Sequence, residues 1–221
     1  MPQNNIVILD YTLGNLFSLK RAFQKIGCDP LISDNKEDII NAEKVVLPGV
    51  GAFAAGMEGL EKKGLVAVIK EIAGNGKPIL GICLGMQMMM TQSEEGGLHR
   101  GLDLIKGKVT RFDSPGEKDS FKIPHYGWSS VSIPERENRD AEDVWHGTIF
   151  EGIKNPSYFY FVHSYFVTTD DPMHTVGITT YGYNSFASVI RKDNITGCQF
   201  HPEISGEAGL QIIRNFALHQ Y

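Results

Sequence analysis

Short apolar runs punctuate the first half of the chain, and segments with helical periodicity separate them. "NIVIL" (residues 5–9), "KVVL" (44–47) and "PILGI" (78–82) read as strands buried on both faces, since none alternates with polar residues. A helix is expected from about Asn15 to Ile26, with Leu16, Leu19, Phe23 and Ile26 on one face and Gly27 as its stop. Helical patterns fill about Ala52 to Ala73, broken near Gly64, and return from Leu84 to Thr91. Strands that alternate with helices call for an α/β fold: a mostly parallel central sheet with helices on both faces.

The second half changes character. "LIKGKVTRF", "WSSVSI", "YFYFVHSYFV", "TVGITTY" and "FASVIR" are β-rich and separated by polar turns, as in an antiparallel or mixed extension of the sheet. A last strand, "ITGCQF", runs into "HPE" and a closing helix near Glu207 to His219. Residues 113–119 and the charged "PERENRDAED" (134–143) are expected to be mobile loops, and neither resembles an interdomain linker. With no internal repeat, residues 1–221 read as a single domain, long enough to bury a sizeable core.

Charge and cysteine content narrow the function classes. A net charge of −5, with no basic block, argues against nucleic acid and anionic membranes as partners. Cys28, Cys83 and Cys198 are too few and too scattered for a disulfide framework or a zinc half-site, so a reducing cytoplasm is the expected compartment. The start lacks a charged n-region, and no apolar run reaches membrane-spanning length. No cofactor or metal is expected.

"GICLG" (81–85) carries the chemistry. It has the form of a nucleophile elbow, a strand that turns sharply into a helix with Cys83 at the apex. Glycines at 81 and 85 leave out side chains that would collide where strand and helix pack closely. A sulfur at a helix N-terminus is favoured as thiolate, and free backbone N–H groups, including that of Leu84, would face an oxyanion. Alone, the pentapeptide fits a buried corner cysteine equally well. A nucleophile needs a base and the base an orienting partner. Of seven histidines, His201 is best placed, at a strand end before Pro202, and Glu203 lies two residues on, where an extended chain brings it to the same side. "PGVGAF" (48–53) could turn backbone amides towards an anion, although it lacks the Lys-Ser/Thr ending of a phosphate loop. Met88 to Met90 read as core positions, and His163 as a strand residue; His125, His146 and His174 form no metal-like arrangement.

Taken together, "PGVGAF", "GICLGMQ", "YFVHSYF" and "QFHPE" resemble the class I, triad-type glutamine amidotransferases. The opening "ILDYTLGNLFSL", the central "IPHYGW" and the closing "GLQIIRNF" are similar to the glutaminase subunits of imidazole glycerol phosphate synthase within that family. The resemblance implies the class I glutamine amidotransferase fold and a Cys83–His201–Glu203 triad that hydrolyses L-glutamine. It implies an oxyanion hole from Val50, Gly51 and Leu84. Gln87 and Glu95 would hold the α-amino and carboxylate ends of the substrate, with Ser164 and Tyr165 as a backbone clamp. The implied partner is a (β/α)8 cyclase subunit in a heterodimer, docked across Thr12, Leu13, Asn15, Trp128 and Ile204. Four positions depart from the pattern: Thr12 replaces a glycine, Ile204 a lysine, and "PHYGWS" stands for "PHMGWN" at Tyr126 and Ser129. These departures leave open a paralogue that feeds ammonia to another acceptor, such as a sugar-amidinating enzyme. A cysteine peptidase or amidase, and a non-catalytic binding subunit, are the readings from other classes.

Overall fold

Apolar residues without polar interruption make sense only for strands covered on both sides. In the computed structural model, which describes residues 5–117, 119–135 and 144–218, the three expected strands are β1 (Ile6–Leu9), β3 (Lys44–Leu47) and β4 (Ile79–Ile82), buried at every position. Val7 and Leu9 of β1 enter one core, and Ile6 and Ile8 enter the other. That is the two-residue alternation of a strand between two apolar layers.

Helices close both layers. On one side, α3 (Phe53–Lys62) and α4 (Leu65–Gly74) supply Phe53, Leu60, Ile69 and Ile72. On the other, α1 (Leu16–Lys25) and α6 (Gly206–Leu218) supply Leu19, Phe23, Ile212 and Phe216. Asn15 caps α1 through its side chain, which accepts the Ser18 N–H at 3.4 Å. Gly27, at φ +84°, stops it. Gly64, in the left-handed region at φ +64°, breaks the helical stretch into α3 and α4. The helix α5 (Leu84–Met88) is shorter than expected, because Leu102, Asp103 and Leu104 N–H groups take the Met88, Met90 and Met89 carbonyls. Met88, Met89 and Met90 are core residues. The edge strand β2 (Leu31–Ser33) and α2 (Lys36–Asn41) were not anticipated. Their signal was Asn35, whose side chain accepts the Glu37 and Asp38 N–H groups as an N-cap.

The second half adds β5 (Gln92–Ser93), β6 (His99–Arg100), β7 (Gly107–Arg111), β8 (His125–Val131), β9 (Ser157–His163), β10 (Tyr165–Thr169), β11 (Thr175–Tyr181), β12 (Asn184–Lys192) and β13 (Ile195–Cys198). The main sheet runs β2-β1-β3-β4-β13-β12-β10-β7-β5-β6, with β11 also on β12; β8 and β9 form a separate antiparallel pair. From β2 to β13 every pairing is parallel. Beyond β13 the pairings are antiparallel except β5 with β7. The run 158–167, read as one strand, is two: it breaks at Ser164, where the chain leaves β8 and joins β7. Of the expected loops, Lys118 and residues 136–143 lie outside the described residues, as does His219 of the closing helix. Among the described residues no helix is long and apolar enough to cross a membrane.

Candidate active site

Two parallel neighbours that end in register bring the site together. Ile82 of β4 lies opposite Cys198 of β13, so both strands stop at one edge of the sheet. The next residue, Cys83, donates its N–H to the Cys198 carbonyl at 2.8 Å. Its backbone sits at φ +52°, ψ −108°, a strained conformation for a residue with a side chain. The flanking glycines are sterically required. A Cβ at Gly85 would overlap the Leu47 carbonyl, and one at Gly81 would come within 2.8 Å of the Met86 amide nitrogen. Only with both absent can α5 pack this closely on the strand ends.

Three residues past Cys198, His201 faces the same edge. Its Nδ1 lies 2.9 Å from Glu203 Oε1, with the two side chains 6% and 5% exposed. Burial pulls the His201 pKa down, but the nearby Cys83 sulfur and the hydrogen-bonded Glu203, with their negative charge, more than reverse this and raise it to about 10. The far nitrogen, Nε2, is buried and makes no aligned hydrogen bond. A base poised in this way can exchange a proton with a group that enters beside the sulfur.

Cys83 and His201 open on a cavity of about 240 Å³, lined also by Val50, Gly51, Leu84, Gln87, Glu95, Ser164 and Tyr165. The volume suits a small molecule. Glu203 stands behind His201. The structure also corrects two local expectations. The Leu84 N–H is not free: it donates to the Gly49 carbonyl at 3.3 Å. The helix behind the sulfur, α5, has only five residues, fewer than expected, so the macrodipole expected at its end is smaller. Tyr11 braces the 48–51 loop from behind, its hydroxyl donating to the Pro48 carbonyl at 2.5 Å. Burial, and then the charge of Cys83, push that phenol well above its ordinary pKa.

Other groups in the wall are already engaged. Glu95 Oε2 accepts the N–H of Phe53, the first residue of α3, at 2.7 Å. Gln87 Nε2 donates to the Tyr165 carbonyl at 3.0 Å and to Gln199 Oε1 at 3.1 Å. Gln199, fully buried, points its own Nε2 at Cys83 Sγ, 3.6 Å away. Sequence reasoning passed over Gln199; its signal was an amide in the otherwise apolar end of "ITGCQF". His163, read as a strand residue, is the last residue of β9 and lines the cavity too. His146 and His174 do not.

The five residues expected to meet a partner lie outside the cavity. Thr12 and Asn15 are exposed, Leu13 is half-buried, and Trp128 and Ile204 are 55% and 45% exposed. Asn15 doubles as the cap of α1. Thr12 sits at φ +82°, which explains a preference for glycine there, since a β-branched residue is strained in the left-handed region. Tyr126 is exposed beside Trp128 on the outer face of β8.

Known proteins share both the sequence and the fold. Residues 7–220 match the family described as "Glutamine amidotransferase class-I". The imidazole glycerol phosphate synthase subunit HisH of Sulfurimonas denitrificans is 44% identical over 215 residues, covering 97% of this chain and 98% of the relative. The protein of the same name from Methanosarcina acetivorans is 46% identical over 212 residues, 96% of each chain. Among solved structures, PurLQS from Thermotoga maritima superposes with a TM-score of 0.67 at 18% identity, covering 97% of both chains. A structure described as a glutamine amidotransferase gives 0.69 at 14% identity, with 95% of this chain and 96% of the other covered. At these identities the structural matches speak to the fold alone. Family match, near-complete alignment and shared architecture agree: the chain belongs to the class-I glutamine amidotransferases and, within them, to the HisH group.

Proposed function

We propose that the chain, acting as one glutaminase domain over residues 1–221, is the subunit of an imidazole glycerol phosphate synthase that releases ammonia from L-glutamine for a (β/α)8 cyclase in histidine biosynthesis. The observation that carries this reading is the buried His201–Glu203 pair beside an elbow cysteine, opening on one small cavity. Cys83 Sγ attacks the side-chain amide carbon of glutamine. As the tetrahedral intermediate collapses, the C–N bond breaks and His201 gives its proton to the departing nitrogen, which leaves as ammonia. Water then gives a proton to His201 and adds to the thioester; the C–S bond breaks, and glutamate leaves. Glu203 holds the imidazole ring and balances its charge throughout. Gln87, Glu95, Ser164 and Tyr165 hold the amino-acid end of the substrate.

The resting geometry supports control by the partner. With the Gly49 carbonyl on the Leu84 N–H, the oxyanion hole is incomplete. Rotating the Gly49–Val50 peptide removes that carbonyl and turns the Val50 N–H inward, so two donors meet the oxyanion. A partner docked across Thr12, Leu13, Asn15, Trp128 and Ile204 biases that rotation, and the isolated chain is accordingly slow. Ile204 gives this face an apolar residue in place of the usual charge, which suits a partner with an apolar or neutral residue opposite. The decisive experiment is Cys83→Ala. Glutamine hydrolysis by the wild-type chain with its cyclase is expected to disappear in the variant, with the melting temperature little changed. Retained hydrolysis in pure Cys83→Ala protein removes the triad.

A further inference from the structure

We propose that two runs of hydrogen bonds converging on the Tyr165 carbonyl, one from Ser129 on β8 through His125 and His163 and the other from Gln87, aim the Gln199 N–H at the Cys83 sulfur. The inference rests on the reading of Cys83 as nucleophile and adds a catalytic residue, Gln199, with His163 and His125 as positioning residues. The contacts are continuous. Ser129 Oγ lies 2.8 Å from His125 Nε2, His125 Nδ1 lies 3.0 Å from His163 Nε2, and His163 Nδ1 lies 2.8 Å from the Tyr165 oxygen. Gln87 and Gln199 complete the path to Sγ.

The direction follows from what each atom can do. A carbonyl only accepts, so the proton of His163 is on Nδ1. Burial holds both rings neutral, His163 at about 3 and His125 at about 4, so each has one donor and one acceptor nitrogen. His163 Nε2 therefore accepts from His125 Nδ1, and His125 Nε2 accepts from the Ser129 hydroxyl. Beyond the carbonyl the same logic sets two amides. Gln87 must present its NH₂ to the Tyr165 oxygen; the flipped amide would set two acceptors face to face. Its second hydrogen goes to Gln199 Oε1, which leaves the Gln199 NH₂ towards sulfur. Tyr181 and Phe161 stack against His125 at centroid distances of 3.9 and 4.8 Å, so the ring cannot rotate away without disturbing both. An N–H donor stabilises sulfur when it is negative, which is the state that attacks.

Alkylation of Cys83 in the isolated full chain by iodoacetamide, followed by peptide mass spectrometry against pH, tests this without relying on glutaminase turnover. Only ionised sulfur reacts, so the acid limb reads the share of thiolate. Around the sulfur stand Tyr11, Glu95, His163, Cys198, His201 and Glu203; Gln199→Leu leaves all of them in place. That variant is expected to alkylate about ten- to hundredfold more slowly near pH 5, with the alkaline plateau kept, as befits loss of a donor to a charged group. His163→Leu, which frees the Tyr165 carbonyl, is expected to slow the same limb about threefold or more, and His163→Gln, which restores a donor, to recover most of it. Should Gln199→Leu not fold, the His163 pair decides. A wild-type acid limb in either leucine variant, with native circular dichroism, overturns the chain. A wild-type Cys83 that resists alkylation at every pH removes the nucleophile itself, and the chain falls with it.

Discussion

Two walls of one cavity each hold a buried histidine, and the two rings are driven in opposite directions. On the β4–β13 wall, His201 has a carboxylate on one side and a sulfur on the other, and its pKa rises to about 10. On the β9 wall, His163 has a carbonyl and a neutral ring, and burial takes it down to about 3. Both are desolvated, so burial does not separate them. The difference is the charge of the partners: Cys83 and Glu203 favour an imidazolium, whereas His125 and the Tyr165 carbonyl do not. One wall holds its ring ready for a proton, and the other holds its ring neutral.

Breaking the first wall has the largest expected effect. Glu203→Gln keeps the shape and a partner for Nδ1 but removes the charge. Its kcat for glutamine hydrolysis in the assembled enzyme is expected to fall by about two to four orders of magnitude, with KM changed far less, because an orienting charge acts mainly in the transition state. An unchanged kcat makes Glu203 a neighbour only.

Stability against pH sharpens the contrast through opposite limbs. His201 has a folded pKa of about 10, above its unfolded 6.5, so its contribution is complete below pH 6.5 and fades as pH rises through 10. His125 and His163, at about 4 and about 3 when folded against 6.5 unfolded, contribute fully above pH 6.5 and lose it as pH falls towards 3. Urea midpoints measured from pH 4 to 10 are expected to show Glu203→Gln flattening only the alkaline limb, and His125→Gln only the acid limb. Each variant altering the other's limb would mean that the walls titrate as one unit.

The smallest effect is expected on the outer face of β8, whose inner face carries His125. Trp128→Ser is expected to change the stability of the isolated chain by no more than about 0.5 kcal/mol, since the side chain is exposed. A larger loss would show that the aromatic face supports the inner wall.

Local chemistry in the chain determined the buried strands of the first half and the tight turn at Cys83. The runs at β1, β3 and β4 could only be strands with two covered faces, and Gly81 and Gly85 around Cys83 could only serve a turn too tight for side chains. His201 and Glu203 were legible because proline ends the strand before them and two-residue spacing keeps them together. The partners of these groups were not legible. That β13 turns back from β12 to lie parallel beside β4 is a pairing choice across more than a hundred residues. Only that choice sets His201 and Gln199 against Cys83. The break at Ser164 depends likewise on β9 and β10 belonging to different sheets, which no local pattern announces. The Gly49 carbonyl on the Leu84 N–H and the neutral state of His163 belong to the same class. Hydrogen-bond direction and proton affinity are set by which groups face one another once water is gone, and that is decided by packing.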